Sequence, residues 1–344
     1  MSDEILFELR GKAGFVTLNR PKALNALSHA MVKELERQLS VWAEDPAVAH
    51  VVITGAGEKA FCAGGDIRSI YDARMEGKLA GLSTFFREEY TLNAQIKAYP
   101  KPYIALIDGI VMGGGVGVSV HGSHRVGTEK TLFSMPETGI GFFPDVGGTF
   151  FLPRMPWHSG VYCALSAGRL KQGDALATGV LTHAVASADL ADLERALETA
   201  DDIDTAIASY VVEPDEGLLA QNKDVIDNAF AAGSVLEILE RLEASPNEFA
   251  QKTAQTVRQK SPTSVLIAFE QMKRGRGLTF NECMKLEYRI VSRILQGDDF
   301  FEGIRAVLVD KDHTPNWVPS QFGQVDSADL ASYFEEPADG DLPL

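Results

Sequence analysis

Cysteine is scarce in this 344-residue chain: Cys62, Cys163 and Cys283 lie far apart and in no CxxC or Cys/His ligand spacing. That excludes a disulfide-stapled scaffold, and a reduced, metal-free interior is expected. Positive charge is also short, with 32 Lys and Arg against 48 Asp and Glu and a formal net charge of −16. A protein that binds a nucleic-acid duplex displaces counterions with cations, so nucleic acid is not an expected partner. Long apolar runs are missing too. The longest, from Tyr103 to Val120, is broken by Asp108 and rich in glycine, which suits a buried element better than a membrane span. The opening MSDEILFELR is acidic and lacks the apolar stretch of a signal peptide. A soluble, cytoplasmic protein is expected. Composition is otherwise globular, at 45% hydrophobic and 23% charged, which excludes disordered and collagen-like chains.

The first third alternates strand and helix signals. Ile5, Phe7 and Leu9 alternate with polar neighbours, Gly11 to Gly14 turns the chain, and Val16 and Leu18 resume, which predicts a hairpin. Ser28 can cap a helix carrying Val32, Leu35, Leu39 and Trp42, ended by Asp45-Pro46. HVVIT at 50–54 and YIALI at 103–107 read as buried strands. The alternation predicts an α/β fold with a largely parallel sheet covered on both faces. From about Ser187 the segments 189–205, 234–243, 247–260, 263–273 and 279–295 are helix-like, jointed at Pro246, Pro262 and Gly275/Gly277. The acidic stretch after Trp317 is expected to be partly disordered.

Four loops concentrate the chemistry: FCAGGD at 61–66, the glycine segment 112–117 after Asp108-Gly109, MPETGIG at 135–141, and FPDVGGT at 143–149. The glycine segment is out of register with a dinucleotide fingerprint. Two glycine loops that each follow a strand can instead present backbone amides to a ligand oxygen, an oxyanion hole. The plain alternative is that these are turn glycines. Ser134 has no GxSxG elbow, which argues against an α/β-hydrolase mechanism. His121 and His124 read as packing or capping groups. Glu89 falls within the apolar stripe of Leu82, Phe85, Phe86, Leu92, Asn93 and Ile96; it either bends to solvent or Arg87, or lines a pocket.

Together, NRPKALNA at 19–26, FCAGGD, DGIVMGGGVG and FEGIRA at 301–306 resemble the enoyl-CoA hydratase/isomerase (crotonase) superfamily from Glu4 to Trp317. PETGIGFFPDVGGTFFLPR and EGIRAVLVDKDHTPNW are similar to its 3-hydroxyisobutyryl-CoA hydrolase branch. The resemblance implies the crotonase (ClpP/crotonase-like) fold, with ββα units repeated in a spiral and two roughly perpendicular sheets. It divides the chain into a core with the CoA and catalytic loops at 1–187, a helical region for trimerisation and active-site cover at 188–320, and an acidic tail at 321–344.

The resemblance further implies an oxyanion hole on the amides of Gly65 and Gly114, each typically contributing about 3 kcal/mol to lowering the barrier. Glu137 and Asp145 would be the catalytic carboxylates. Glu89, Gly114, Glu137 and Asp145 would bind the acyl group, and Lys22, Ala63, Asp66 and Ile67 would bind CoA. Metal and cofactor are not expected, beyond the CoA of the substrate, and a homotrimer or hexamer is. Hydratases of the family resemble GGGxE, and this chain has Gly117 where that second glutamate stands. A missing proton-handling carboxylate typically costs about 10² to 10⁴ in rate. Thioester hydrolysis in valine breakdown is therefore the expected reaction. An enoyl-CoA hydratase or isomerase, or a non-catalytic acyl-CoA-binding homologue, stays open.

Overall fold

The structure is a computed structural model that describes residues 3–78 and 81–344. Among the described residues, ten strands run in chain order as β1 (Ile5–Arg10), β2 (Ala13–Leu18), β3 (His50–Gly55), β4 (Ala60–Cys62), β5 (Tyr103–Ile107), β6 (Ile110–Met112), β7 (His124–Gly127), β8 (Leu132–Ser134), β9 (Leu170–Lys171) and β10 (His183–Ala184). One sheet has the order β1-β2-β3-β5-β7-β10 and the other β4-β6-β8-β9. β1 and β2 form the expected antiparallel hairpin, with Ile5 opposite Leu18 and Arg10 opposite Ala13. From β2 onward the larger sheet is parallel. All five residues of β5 are buried, as a parallel strand covered on both faces requires.

Two compact units partition the chain. The first takes residues up to Asp66, Leu92–Phe133 and Leu170–Ala220; the second takes Ile67–Thr91, Ser134–Arg169 and Gln221–Leu344. They interleave along the chain, whereas the sequence suggested consecutive blocks. The reason is local burial. Helices Leu190–Thr199 and Ile203–Ala208, at the start of the predicted helical region, set Leu193, Leu197, Ile203 and Ile207 against Phe15, Val52, Ile104 and Val126 of the larger sheet.

Helix starts follow their caps. Ser28 Oγ accepts the Met31 amide at 3.3 Å ahead of the helix His29–Glu44, whose buried row is Met31, Val32, Leu35, Leu39 and Trp42. In the second unit, helices Val235–Ala244, Glu248–Arg258, Pro262–Gly275 and Phe280–Ile294 fall where the periodicity put them.

The tail departs from expectation. It holds a helix at Ser327–Ser332 capped by Asp326, and both Phe334 and Leu342 are buried. Arg289 grips both carboxylate oxygens of Asp341, and the Arg274 guanidinium lies 4.1 Å over the Phe334 ring. Average acidity hid two apolar anchors. Leu342→Ala should therefore cost about 2 kcal/mol, the low end for a buried leucine, although it is two residues from the end of the chain. Urea unfolding measures this; a neutral substitution would mean that the tail is not docked.

Candidate active site

In the first unit, β4 and β6 are parallel neighbours with Cys62 paired to Val111. Gly65 and Gly114 each stand three residues beyond those partners, so equal offsets carry both loops past the same strand ends. Each is preceded by a glycine in a backbone conformation that L side chains rarely adopt, Gly64 at φ +128° and Gly113 at φ +46°. The Leu27 amide binds Gly64 O at 2.8 Å and the Asp66 amide binds Leu27 O at 2.9 Å, pinning the loop on either side of Gly65. Neither the Gly65 nor the Gly114 amide donates to a backbone carbonyl among the described residues. Gly114 opens the short helix Gly114–Gly117, where an amide has no intrahelical acceptor. A Cβ on Gly115 would meet Cys62 O at 2.3 Å, so the two loops touch only because no side chain separates them. Gly117 is buried in the same turn.

The expected CoA-binding residues are spread out. Ala63 spends its amide on Leu24 O at 3.0 Å, and the Asp66 carboxylate accepts from Arg20 at 3.0 Å. Arg20 also pairs with Glu4, so its charge is used within the fold. Lys22 and Lys59 line a cleft of about 400 Å³ with Pro21, Asn25 and Gly57, and neither is ion-paired among the described residues. Ile67 begins the helix Ile67–Met75 in the second unit.

That second unit gathers the carboxylates. Glu137 opens a 3-10 turn, Glu137–Ile140, directly after β8 and Met135-Pro136. It is 5% exposed, Asp145 5%, Glu89 2% and Glu287 0%. Arg87 does not reach Glu89; it donates instead to the Tyr288 hydroxyl at 2.6 Å. In the same unit Phe142 packs between Phe86 and Phe300, with ring centroids 5.4 and 4.6 Å away.

Hydrogen bonds divide the four. Asp145 Oδ2 accepts the Tyr90 hydroxyl at 2.8 Å, and Glu287 accepts the amides of Gly147 and Thr149 at 2.8 and 2.9 Å. Among the described residues, Glu89 Oε1 and Glu137 Oε2 have no hydrogen-bond partner. Burial, then the charge of Asp145, holds Glu89 and Glu137 well above the ordinary glutamate range. Burial pushes Asp145 up to about 7 against the pull of Tyr90, and Glu287 up to about 8 against its two amides. The donors favour charge on Asp145 and Glu287, whereas at Glu137 burial and the charge of Asp145 outweigh a bond from its own backbone. Carboxyls with proton affinity near neutrality suit general acid, base or nucleophile work.

Tyr90, Gln271 and Glu287 escaped the sequence reading. Glu287 had the signal that marked Glu89: it breaks the buried row Phe280, Cys283, Met284, Val291 and Ile294. Tyr90 reads as core, and nothing in the sequence set it apart.

Residues 13–334 match the enoyl-CoA hydratase/isomerase family. The chain belongs to that family. Curated relatives within it include the mitochondrial 3-hydroxyisobutyryl-CoA hydrolases of Danio rerio, 47% identical over 99% of this chain and 92% of its own length, and of Homo sapiens, 44% identical over 99% and 91%. Among solved structures, a carnitinyl-CoA dehydratase from Mycobacterium thermoresistibile is 39% identical with a TM-score of 0.94, covering 99% of both chains. An enoyl-CoA hydratase from Rhodobacter sphaeroides 2.4.1 is 39% identical with a TM-score of 0.93 over 99% of this chain and all of its own. The family's crotonase fold, mixed α/β with a helix-rich C-terminal part, is therefore the fold of this protein. The cytoplasmic expectation is corrected: the curated relatives are named as mitochondrial, which points away from the cytoplasm. Reduced cysteines and a weakly apolar opening do not distinguish one reducing compartment from another.

A carboxyl raised in the folded state keeps a proton that the unfolded chain has released. For Asp145 the resulting stability is full below its ordinary 3.8 and is lost as pH rises to about 7. Asp145→Asn removes that loss. Its melting temperature relative to wild type should be at least about 2 °C more favourable at pH 8 than at pH 4. A difference that is flat with pH, read by thermal denaturation, would remove burial as the cause of the shift.

Proposed function

We propose that this protein is an acyl-CoA thioester hydrolase that converts 3-hydroxyisobutyryl-CoA and water to 3-hydroxyisobutyrate and CoA, a step of valine breakdown. One observation carries the reading: curated relatives from fish to mammals, 42–47% identical over nearly the whole chain, share the name 3-hydroxyisobutyryl-CoA hydrolase. The site chemistry agrees with it. The resemblance puts Glu137 at the glutamate shared by the family's hydratases and hydrolases, and Gly117 where the hydratases' second glutamate would be.

In this reading the Gly65 and Gly114 amides receive the thioester oxygen and the negative charge that develops on it. Glu137, made basic by burial, attacks the carbonyl or takes a proton from water. Attack expels the CoA thiolate, which takes up a proton, and water then cleaves the mixed anhydride to return the carboxylate. Asp145 orients the hydroxyl-bearing acyl group or assists proton transfer, and Glu89 lines the acyl pocket. Lys22, with backbone groups of Ala63, Asp66 and Ile67, holds CoA. The chemistry requires no metal or redox cofactor. We also propose a homotrimer or hexamer built on the helical 188–320 region, with neither nucleic acid nor membrane as partner; among the described residues no helix is long and apolar enough to cross a membrane. Light scattering that returns a monomer counts against the oligomer.

The names of the solved neighbours favour a second reading, hydration or dehydration of an enoyl-CoA. One assay separates the two, with a silent CoA-binding protein as a third outcome. Thiol release from 3-hydroxyisobutyryl-CoA should far exceed hydration of crotonyl-CoA, and isobutyryl-CoA, lacking the hydroxyl, should be the slower thioester. Glu137→Gln should lower turnover by at least about 10²-fold while CoA affinity survives. Faster hydration than thiol release would sink the hydrolase reading.

A further inference from the structure

Val146 sits at φ +51° and Gly147 at φ +89°, directly after Asp145. A left-handed conformation is rare for a β-branched residue, and such strain persists only where surrounding contacts over-determine it. Val146 is also buried, so it has no freedom to relax outward.

Two side chains from separate helices supply the over-determination. Glu287, on Phe280–Ile294, accepts the Gly147 amide with Oε2 at 2.8 Å and the Thr149 amide with Oε1 at 2.9 Å. Its helix is registered by a capping box, in which Thr279 and Glu282 satisfy each other's amides. Gln271, on Pro262–Gly275, donates Nε2 to Pro144 O at 2.7 Å and to Thr149 Oγ1 at 2.6 Å. The four bonds straddle Asp145, one before it and three after, and Tyr90 completes the hold on its carboxylate.

We infer that Glu287 is a positioning residue: with Gln271 it clasps the 144–149 turn in its left-handed form and so sets where the Asp145 carboxylate stands. Glu287 itself touches no reacting atom. The inference deepens the proposed function, since it rests on Asp145 facing the substrate.

Two measurements test it, one of them independent of activity. The Gly148 amide bonds to Asp145 O at 2.8 Å and does not touch Glu287, so its hydrogen exchange reports opening of the turn. In Glu287→Gln, which exchanges one amide acceptor for a donor, Gly148 should exchange at least about tenfold faster, the equivalent of leaving one buried amide without its acceptor. Unchanged exchange overturns the inference whatever the substrate is. On 3-hydroxyisobutyryl-CoA, kcat should fall by about 10²-fold, as for a misplaced catalytic group, with KM moving less than about threefold. Adding Val146→Gly relieves the strain that the clasp opposes, so the double variant should recover at least about tenfold of the lost kcat relative to Val146→Gly alone. A kcat loss that Val146→Gly does not rescue would mean that Glu287 acts through its charge, and overturns the positioning role. Where Glu287→Gln fails to fold, Gln271→Leu cuts the other two bonds without altering any carboxyl, and the same exchange criterion applies. Wild-type protein that releases no thiol refutes the functional reading and leaves the exchange arm standing.

Discussion

An ionised carboxylate forfeits several kcal/mol of hydration when it is buried, and Glu89, Glu137, Asp145 and Glu287 are all buried in one compact unit. None is ion-paired among the described residues. The unit meets this cost in two ways. Donors from Tyr90, Gly147 and Thr149 support charge at Asp145 and Glu287, and proton retention relieves the rest. The charge of Asp145 raises Glu89, Glu137 and Glu287, and that of Glu287 raises Glu89 and Glu137.

The first unit solves a different problem, that of leaving amides free. Backbone N–H groups in a packed core are nearly always spent on carbonyls. Here the paired ends of β4 and β6 deliver two loops at equal offsets, and glycines at 64 and 113 turn the following amides away from their own chain. The absent side chain at Gly115 then lets the Cys62 carbonyl approach. Glycine placement and strand register thus leave the Gly65 and Gly114 amides without a backbone acceptor among the described residues.

Much of this was legible in the residues. Parallel strands announced themselves as continuous apolar runs, and helix boundaries followed Ser28, Pro262 and Thr279 because capping is a local property. Motif order drew attention to Gly65, Gly114, Glu137 and Asp145 by resemblance to the family. Glu287 carried the same anomaly as Glu89, a carboxylate in an apolar helical row, and was passed over because no loop motif drew attention to it. The tail misled for the opposite reason: acidity averaged over its length concealed Phe334 and Leu342.

The sequence by itself determined the family, the α/β class, the helix and strand periods and the glycine and carboxylate motifs, since each depends on neighbours a few positions apart. Tertiary structure alone decided that Arg87 turns to Tyr288, that Tyr90 serves Asp145, and that Arg20 is consumed by Asp66 and Glu4. It also decided that Gln271 and Glu287 converge on the turn after Asp145. Those pairings join residues separated by tens to hundreds of positions, and a carboxylate's proton affinity is set by burial and by such partners. Neither is written in local spacing.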